Sequence, residues 1–214
     1  MTIDEAAVAR NVADVRAAIR ARTDRPVSLV AVTKTFDHHA VTAALAAGAD
    51  GIGENYAQEL IAKAAALARP VPWHFIGQLQ RNKVKLIVPL GVALWQTVDR
   101  PDLARELTHR QPGARVLVQV NTTREEQKGG CDPSEASALV EACRASGLAV
   151  AGLMTIGPAG PAEEARPAFR LLRRLADDLG LAECSMGMSG DFEVAVEEGA
   201  TIVRIGSRLF GPRG

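Results

Sequence analysis

The chain has 214 residues, 47% of them hydrophobic, and its 25 Lys+Arg balance 25 Asp+Glu to a formal net charge of zero. That is enough apolar material for one substantial core and predicts a single domain over residues 1–214. The balance excludes the one-sided basic field of a nucleic-acid binder, and no apolar run is long enough to cross a bilayer.

The opening segment MTIDEAAVARNVADVRAAIR mixes charges at helical spacing and lacks the apolar core of a signal peptide. It predicts an amphipathic helix over about residues 3–22 and a cytoplasmic protein. Short apolar runs then predict strands at 28–33, 51–54, 73–77, 92–98, 115–120, 150–156, 184–188 and 201–205. Ala-rich helical segments fall between them at 40–47, 55–67, 102–110, 134–146, 162–179 and 192–198. Strict alternation of strand and helix means a parallel sheet, either open and doubly wound or closed as a (β/α)8 barrel. Eight strands are many for a small open sheet, and the additional N-terminal helix can stand in for the one missing after the last strand. A single TIM-type α/β barrel is therefore expected. Residues 157–161, Gly-Pro-Ala-Gly-Pro, read as a strand-to-helix loop, and the polar stretch 121–132 reads as the longest such loop.

Cys131, Cys143 and Cys184 show no CxxC spacing, and His38 and His39 are adjacent. No disulfide framework and no metal site is expected.

Lys34 follows the first clean apolar run, Ser28-Leu-Val-Ala-Val-Thr33, and lysine is scarce: Lys34, Lys63, Lys83, Lys85 and Lys128 are the five. An amine at the C-terminal end of a barrel strand is a candidate nucleophile toward an aldehyde. The last expected strand ends Val203-Arg204-Ile205-Gly206-Ser207, and the one before it runs into Ser189-Gly190-Asp191. Hydroxyls and close backbone approach in the loops after strands seven and eight suit a phosphate. Closure makes strand one the neighbour of strand eight, which brings Lys34 beside that cradle. A lysine amine next to a monoester phosphate site points to pyridoxal 5′-phosphate held as a Schiff base.

At this point the chain resembles the pyridoxal-phosphate homeostasis protein family, whose fold is similar to the barrel domain of alanine racemase. The resemblance rests on Leu29-Val-Ala-Val-Thr-Lys-Thr35, Gly53-Glu-Asn-Tyr56, His74-Phe-Ile-Gly-Gln-Leu-Gln-Arg-Asn-Lys83, Gly152-Leu-Met-Thr-Ile156, Ser185-Met-Gly-Met-Ser189 and Val203-Arg-Ile-Gly-Ser-Arg-Leu-Phe-Gly211, in order along nearly the whole chain. It implies that Lys34 is the Schiff-base lysine, that Ser189, Gly206 and Ser207 hold the phosphate, that Arg204 faces the pyridine nitrogen and that Asn55 lines the site. Gln78, Gly190 and the doubled Gly129-Gly130 after Lys128 depart mildly from the family's pattern.

A guanidinium only donates, so Arg204 would leave the ring nitrogen unprotonated and weaken the ring as an electron sink. The racemases add a tyrosine from a further domain of the partner subunit; this chain ends at Gly214, and Tyr56 is its only tyrosine. The expectation is a monomer that binds the cofactor and passes it to apo-enzymes, with no catalytic residue assigned. An amino-acid racemase or related isomerase using the same cofactor is the alternative, and a lysine-dependent aldolase of a sugar phosphate is a third reading.

Plainer roles stand beside these. Ser189 suits a helix cap, Asn55 a cap for the helix after strand two, and Arg204 an ion pair with Glu54. Trp73, His74 and Phe75 suit the barrel interior, and Met154, Met186 and Met188 suit the core. Lys83 and Lys85 suit a solvated helix face. Lys128, in a top-face loop, suggests a cofactor-relay role. His38, His39 and His109 are expected at the surface.

Overall fold

Ser28–Val32 (β1) and Ile202–Ile205 (β8) come from opposite ends of the chain yet pair in parallel, with Val30 opposite Arg204 and Ala31 opposite Ile205. The computed structural model describes residues 3–67, 69–125 and 127–211. Between these two strands lie Gly51–Glu54 (β2), Trp73–Phe75 (β3), Val92–Val98 (β4), Arg115–Gln119 (β5), Ala149–Met154 (β6) and Glu183–Ser185 (β7), which close in chain order into a parallel barrel. The expected (β/α)8 architecture is the one observed.

Around the barrel run Glu5–Arg20 (α1), His38–Ala46 (α2), Ala57–Ala66 (α3), Arg81–Ile87 (α4), Pro101–Arg110 (α5), Ala136–Ala145 (α6), Arg166–Asp178 (α7), Phe192–Glu197 (α8) and the single turn Ser207–Phe210 (α9). Helix α1 starts where the Asp4 carboxylate accepts the Ala7 amide at 2.9 Å, and it buries Val8, Val12, Val15 and Ile19. Their three- and four-residue spacing makes one apolar stripe. That stripe packs α1 against α2, α8 and α9. The N-terminal helix thus fills the outer position that the short α9 leaves open.

Two differences from the sequence reading bear on the site. Helix α4, expected only as the face that carries Lys83 and Lys85, has no bounds among the expected segments, because Arg81, Lys83 and Lys85 obscure the short buried pair Val84 and Ile87. Strands β3 and β7 also stop earlier than their apolar runs. Residues 76–77 and 186–188 leave the sheet at the C-terminal face, and Gly187 takes φ +91°, a conformation side chains resist. A Cβ there would lie 2.6 Å from Ala195 Cβ.

Alternation along each strand separates two layers of core. Trp73 and Phe75 are buried with the helices outside the sheet, so of the run 73–75 only His74 points toward the barrel interior. The expectation that all three fill the interior is corrected by the period of two. Val30, Leu94, Leu117, Met154 and Ile202 form a separate apolar cluster inside the barrel. Beside them sit buried Gln96, Ser185 and Arg204. Cys131, Cys143 and Cys184 are buried free thiols. Among the described residues no group of His, Cys, Asp or Glu is placed to hold a metal, and no helix is long and apolar enough to cross a membrane.

Candidate functional site

Lys34 stands two residues beyond β1, in a turn closed by the Phe36 amide donating to the Thr33 carbonyl at 3.0 Å. The next residue, Thr35, has φ +71°, which is strained for a β-branched side chain. Helix α3 holds the turn from outside. The Glu59 carboxylate accepts the Thr35 amide at 2.8 Å. The Lys63 ammonium donates to the Thr33 carbonyl at 2.7 Å, to Glu54 at 2.6 Å and to Glu59 at 3.1 Å, which uses all three of its hydrogens. The Thr33 hydroxyl donates to the same Glu54 oxygen. Both neighbours of Lys34 are therefore pinned by one buried cluster. Burial pushes the Glu54 carboxyl above its usual range, with the Lys63 charge pulling the other way.

Arg204, across the closing seam, is 4% exposed and is not paired with Glu54. Glu54 points outward to α3, while Arg204 points inward, where Nη1 donates to Ser185 Oγ at 2.7 Å and Nη2 to the Thr155 carbonyl at 2.8 Å. Burial lowers the guanidinium to about 10, opposed by the Asp191 carboxylate, so it stays charged at neutral pH. The same burial raises Asp191, whose carboxylate accepts the Met188 amide at 2.6 Å.

Ser189 does not cap α8. Its hydroxyl accepts the Gly206 amide at 3.2 Å and the Arg208 amide at 3.3 Å, tying the loop after β7 to the loop after β8. Two backbone donors thus converge on one oxygen where strands seven and eight end. Asn55 is likewise no cap: α3 begins after Tyr56 with no side-chain capping bond. The Asn55 Oδ1 atom is buried without a hydrogen-bond partner, which is rare unless a ligand or water completes it. Gly77 presses on the Asn55 backbone so closely that a Cβ would lie 1.9 Å from its carbonyl oxygen.

Lys34, Asn55, Ser189, Arg204, Gly206 and Ser207, named separately from the sequence, all line one cavity of about 300 Å³ at the C-terminal face. Val32, Ile76, Ile156 and Met188 supply its apolar wall. Met188 is 37% exposed rather than core, because Gly187 turns it out of the sheet. A neighbouring cavity of about 420 Å³ shares Asn55 and is bordered by Tyr56 and by Lys83, which is half-buried rather than on a solvated face. Lys128 is held above the barrel by Glu125 and by the Gly157 carbonyl at 2.8 Å, outside the residues that line the Lys34 cavity.

The donor set fits a phosphorylated, aldehyde-bearing aromatic ring. Lys34 supplies the amine, Arg204 a donor aimed inward, and Ser189, Ser207 and Gly206 two hydroxyls and a backbone amide suited to a phosphate. Missed by the sequence reading were Glu54, Glu59 and Lys63 as the holders of the Lys34 turn. The Glu59–Lys63 spacing of four was the available signal.

The chain is similar in sequence and in fold to known proteins. The sequence model of the family described as alanine racemase, N-terminal domain, matches residues 3–214. A pyridoxal phosphate homeostasis protein of Pseudomonas aeruginosa is 44% identical over 222 residues, covering 96% of each chain. The human protein of that name is 41% identical over 209 residues, covering 86% of this chain and 76% of its own. PipY of Synechococcus elongatus, solved with PLP bound, superposes with a TM-score of 0.83 at 33% identity, covering 95% of this chain and 100% of that one.

Proposed function

Given that the chain belongs to the alanine racemase N-terminal domain family, and within it to the pyridoxal phosphate homeostasis proteins, we propose that it binds pyridoxal 5′-phosphate through Lys34 and passes it to apo-enzymes that depend on it. The observation that carries this reading is the convergence of Lys34, the buried Arg204, Ser189, Gly206 and Ser207 on one cavity.

Each group has a distinct task. Lys34 Nζ would hold the cofactor through its aldehyde, and the pinned turn of Thr33 and Thr35 holds the Lys34 backbone in place. Ser189, Ser207 and the amide of Gly206 hold the phosphate. Arg204 donates toward the ring nitrogen and, having no acceptor, keeps that atom unprotonated. When bound, the cofactor supplies an electron sink, and a donor-only partner weakens it. Asn55 gives its unpartnered oxygen to a donor on the bound molecule. The arrangement favours holding the cofactor over turning substrates with it.

The test is to load the protein with pyridoxal phosphate and mix it with an apo-enzyme that requires it. The expected result is recovery of that enzyme's activity with loss of the protein's visible absorbance, and no change of chirality in added amino acids. Racemisation at ordinary enzyme rates replaces the proposal with the isomerase reading.

A further inference from the structure

The interior of a small barrel is most simply filled with apolar side chains, as it is at Val30, Leu94, Leu117, Met154 and Ile202. Beside that cluster a row of polar groups runs across the barrel. Arg204 Nη1 donates to Ser185 Oγ at 2.7 Å, Ser185 Oγ donates to Gln96 Oε1 at 2.6 Å, and Gln96 Nε2 lies 2.8 Å from His74 Nδ1. Ser185 and Gln96 are both fully buried.

The direction of every bond follows from its first member. A guanidinium has no acceptor, so Ser185 Oγ must accept from it and can donate its single hydrogen only onward. Gln96 must then present its oxygen to Ser185 and its NH2 to His74. His74 accepts at Nδ1, which places its own hydrogen on Nε2 and leaves the ring neutral. Burial agrees with this, holding the imidazole at about 4. Reversing any bond would set two donors against each other at Arg204. The row has one orientation, and a half-satisfied version of it is costly in a buried setting.

We propose that Ser185, Gln96 and His74 are positioning residues, a one-way chain that locks the Arg204 guanidinium so that its remaining donors face the cavity at a fixed angle and select a ring offering an acceptor nitrogen. This deepens the cofactor reading and rests on it. The chain spends two buried polar side chains on one nitrogen of Arg204, while the Thr155 carbonyl fixes the other.

The experiment measures dissociation constants for pyridoxal phosphate and for its deaza analogue, in which the ring nitrogen is replaced by C–H. It uses the wild type, Ser185→Ala, Gln96→Leu and, as the conservative variant, Ser185→Thr. Aldehyde and phosphate are common to both ligands, so their ratio isolates the nitrogen. The wild type is expected to prefer pyridoxal phosphate by about tenfold, the scale of one hydrogen bond to a charged donor. Ser185→Ala and Gln96→Leu are expected to reduce the preference to about threefold or less, with the deaza affinity changed less than about twofold, and Ser185→Thr to restore it. An undiminished preference in both variants overturns the inference. So does an equal loss for both ligands, which marks the row as fold support alone, or a wild type without preference, which removes Arg204 from the nitrogen. A wild type that binds neither ligand brings down the cofactor reading itself, an outcome distinct from these.

Discussion

Val30 and Arg204 stand opposite each other in the parallel register between β1 and β8. Both point into the barrel, and the chain beyond each continues to the same face: Lys34 four residues on from Val30, Ser207 three residues on from Arg204. This one pairing is what makes a site of residues 173 positions apart in sequence (34 and 207). Shifting the register by a single residue would turn Arg204 out toward the helices and leave the cavity without its buried donor.

The cluster that pins Lys34 is open to a stability test. Lys63 is 5% exposed and Glu54 fully buried. Removing one partner leaves an uncompensated buried charge, whereas removing both leaves an apolar contact. Lys63→Met is expected to lose about 3 kcal/mol in urea unfolding, and the double change with Glu54→Leu to recover most of that. Equal losses in the single and double variants contradict the pairing.

The phosphate assignment separates two ligands that differ only in that group. Ser189→Ala is expected to weaken pyridoxal phosphate about tenfold and to leave pyridoxal unchanged, since only the former reaches the loops after β7 and β8. Isothermal titration with both ligands measures it. Parallel weakening of pyridoxal would place Ser189 elsewhere in the site.

His74 predicts an acid limb in stability. Burial and the nearby Arg115 charge hold it at about 4, against ~6.5 when exposed. Between those values the unfolded chain binds more protons, so this contribution is full above ~6.5 and is lost as pH falls toward the folded value, by up to about 3 kcal/mol. Glu54 and Asp191, raised by burial, act in the opposite sense. Melting temperatures at about pH 7.5 and about pH 5 are expected to differ in the wild type and to converge in His74→Asn. The same drop in His74→Asn removes His74 as the cause.

Burial pushes the thiols of Cys131, Cys143 and Cys184 up to about 12, 11 and 11. Since the thiolate is the reactive form, a disulfide thiol reagent is expected to label none of them before unfolding. Rapid native labelling would place a thiol at the surface.

Much of this was legible in the sequence. Alternating strands and helices lead to the barrel, and closure alone places Lys34 beside Arg204, Gly206 and Ser207. What was not legible depended on which face of a strand or helix a polar residue takes. An ion pair of Arg204 with Glu54 suits the sequence, yet the pleat turns Glu54 outward to Lys63. Lys63 has no assigned role in the sequence, since its partner Glu59 is visible at a spacing of four but its buried partner on β2 is not. Gln96 and Ser185 sit in otherwise apolar runs, and polar residues at inward positions of buried strands were the signal for the row behind Arg204. Ser189 reads as a cap because it precedes a helix, but the Asp191 and Phe192 amides donate to the Met188 carbonyl, and the Ser189 hydroxyl bridges two loops instead.

The central claim is that Lys34 carries the cofactor. The most direct measurement is to incubate wild type and Lys34→Ala with pyridoxal phosphate, record the visible absorbance, reduce with borohydride and map the labelled peptide. The account predicts a band in the wild type that reduction removes, a pyridoxyl group on Lys34 alone, and no such band in Lys34→Ala. A wild type that stays colourless, or a label on another lysine with Lys34 unmodified, contradicts it.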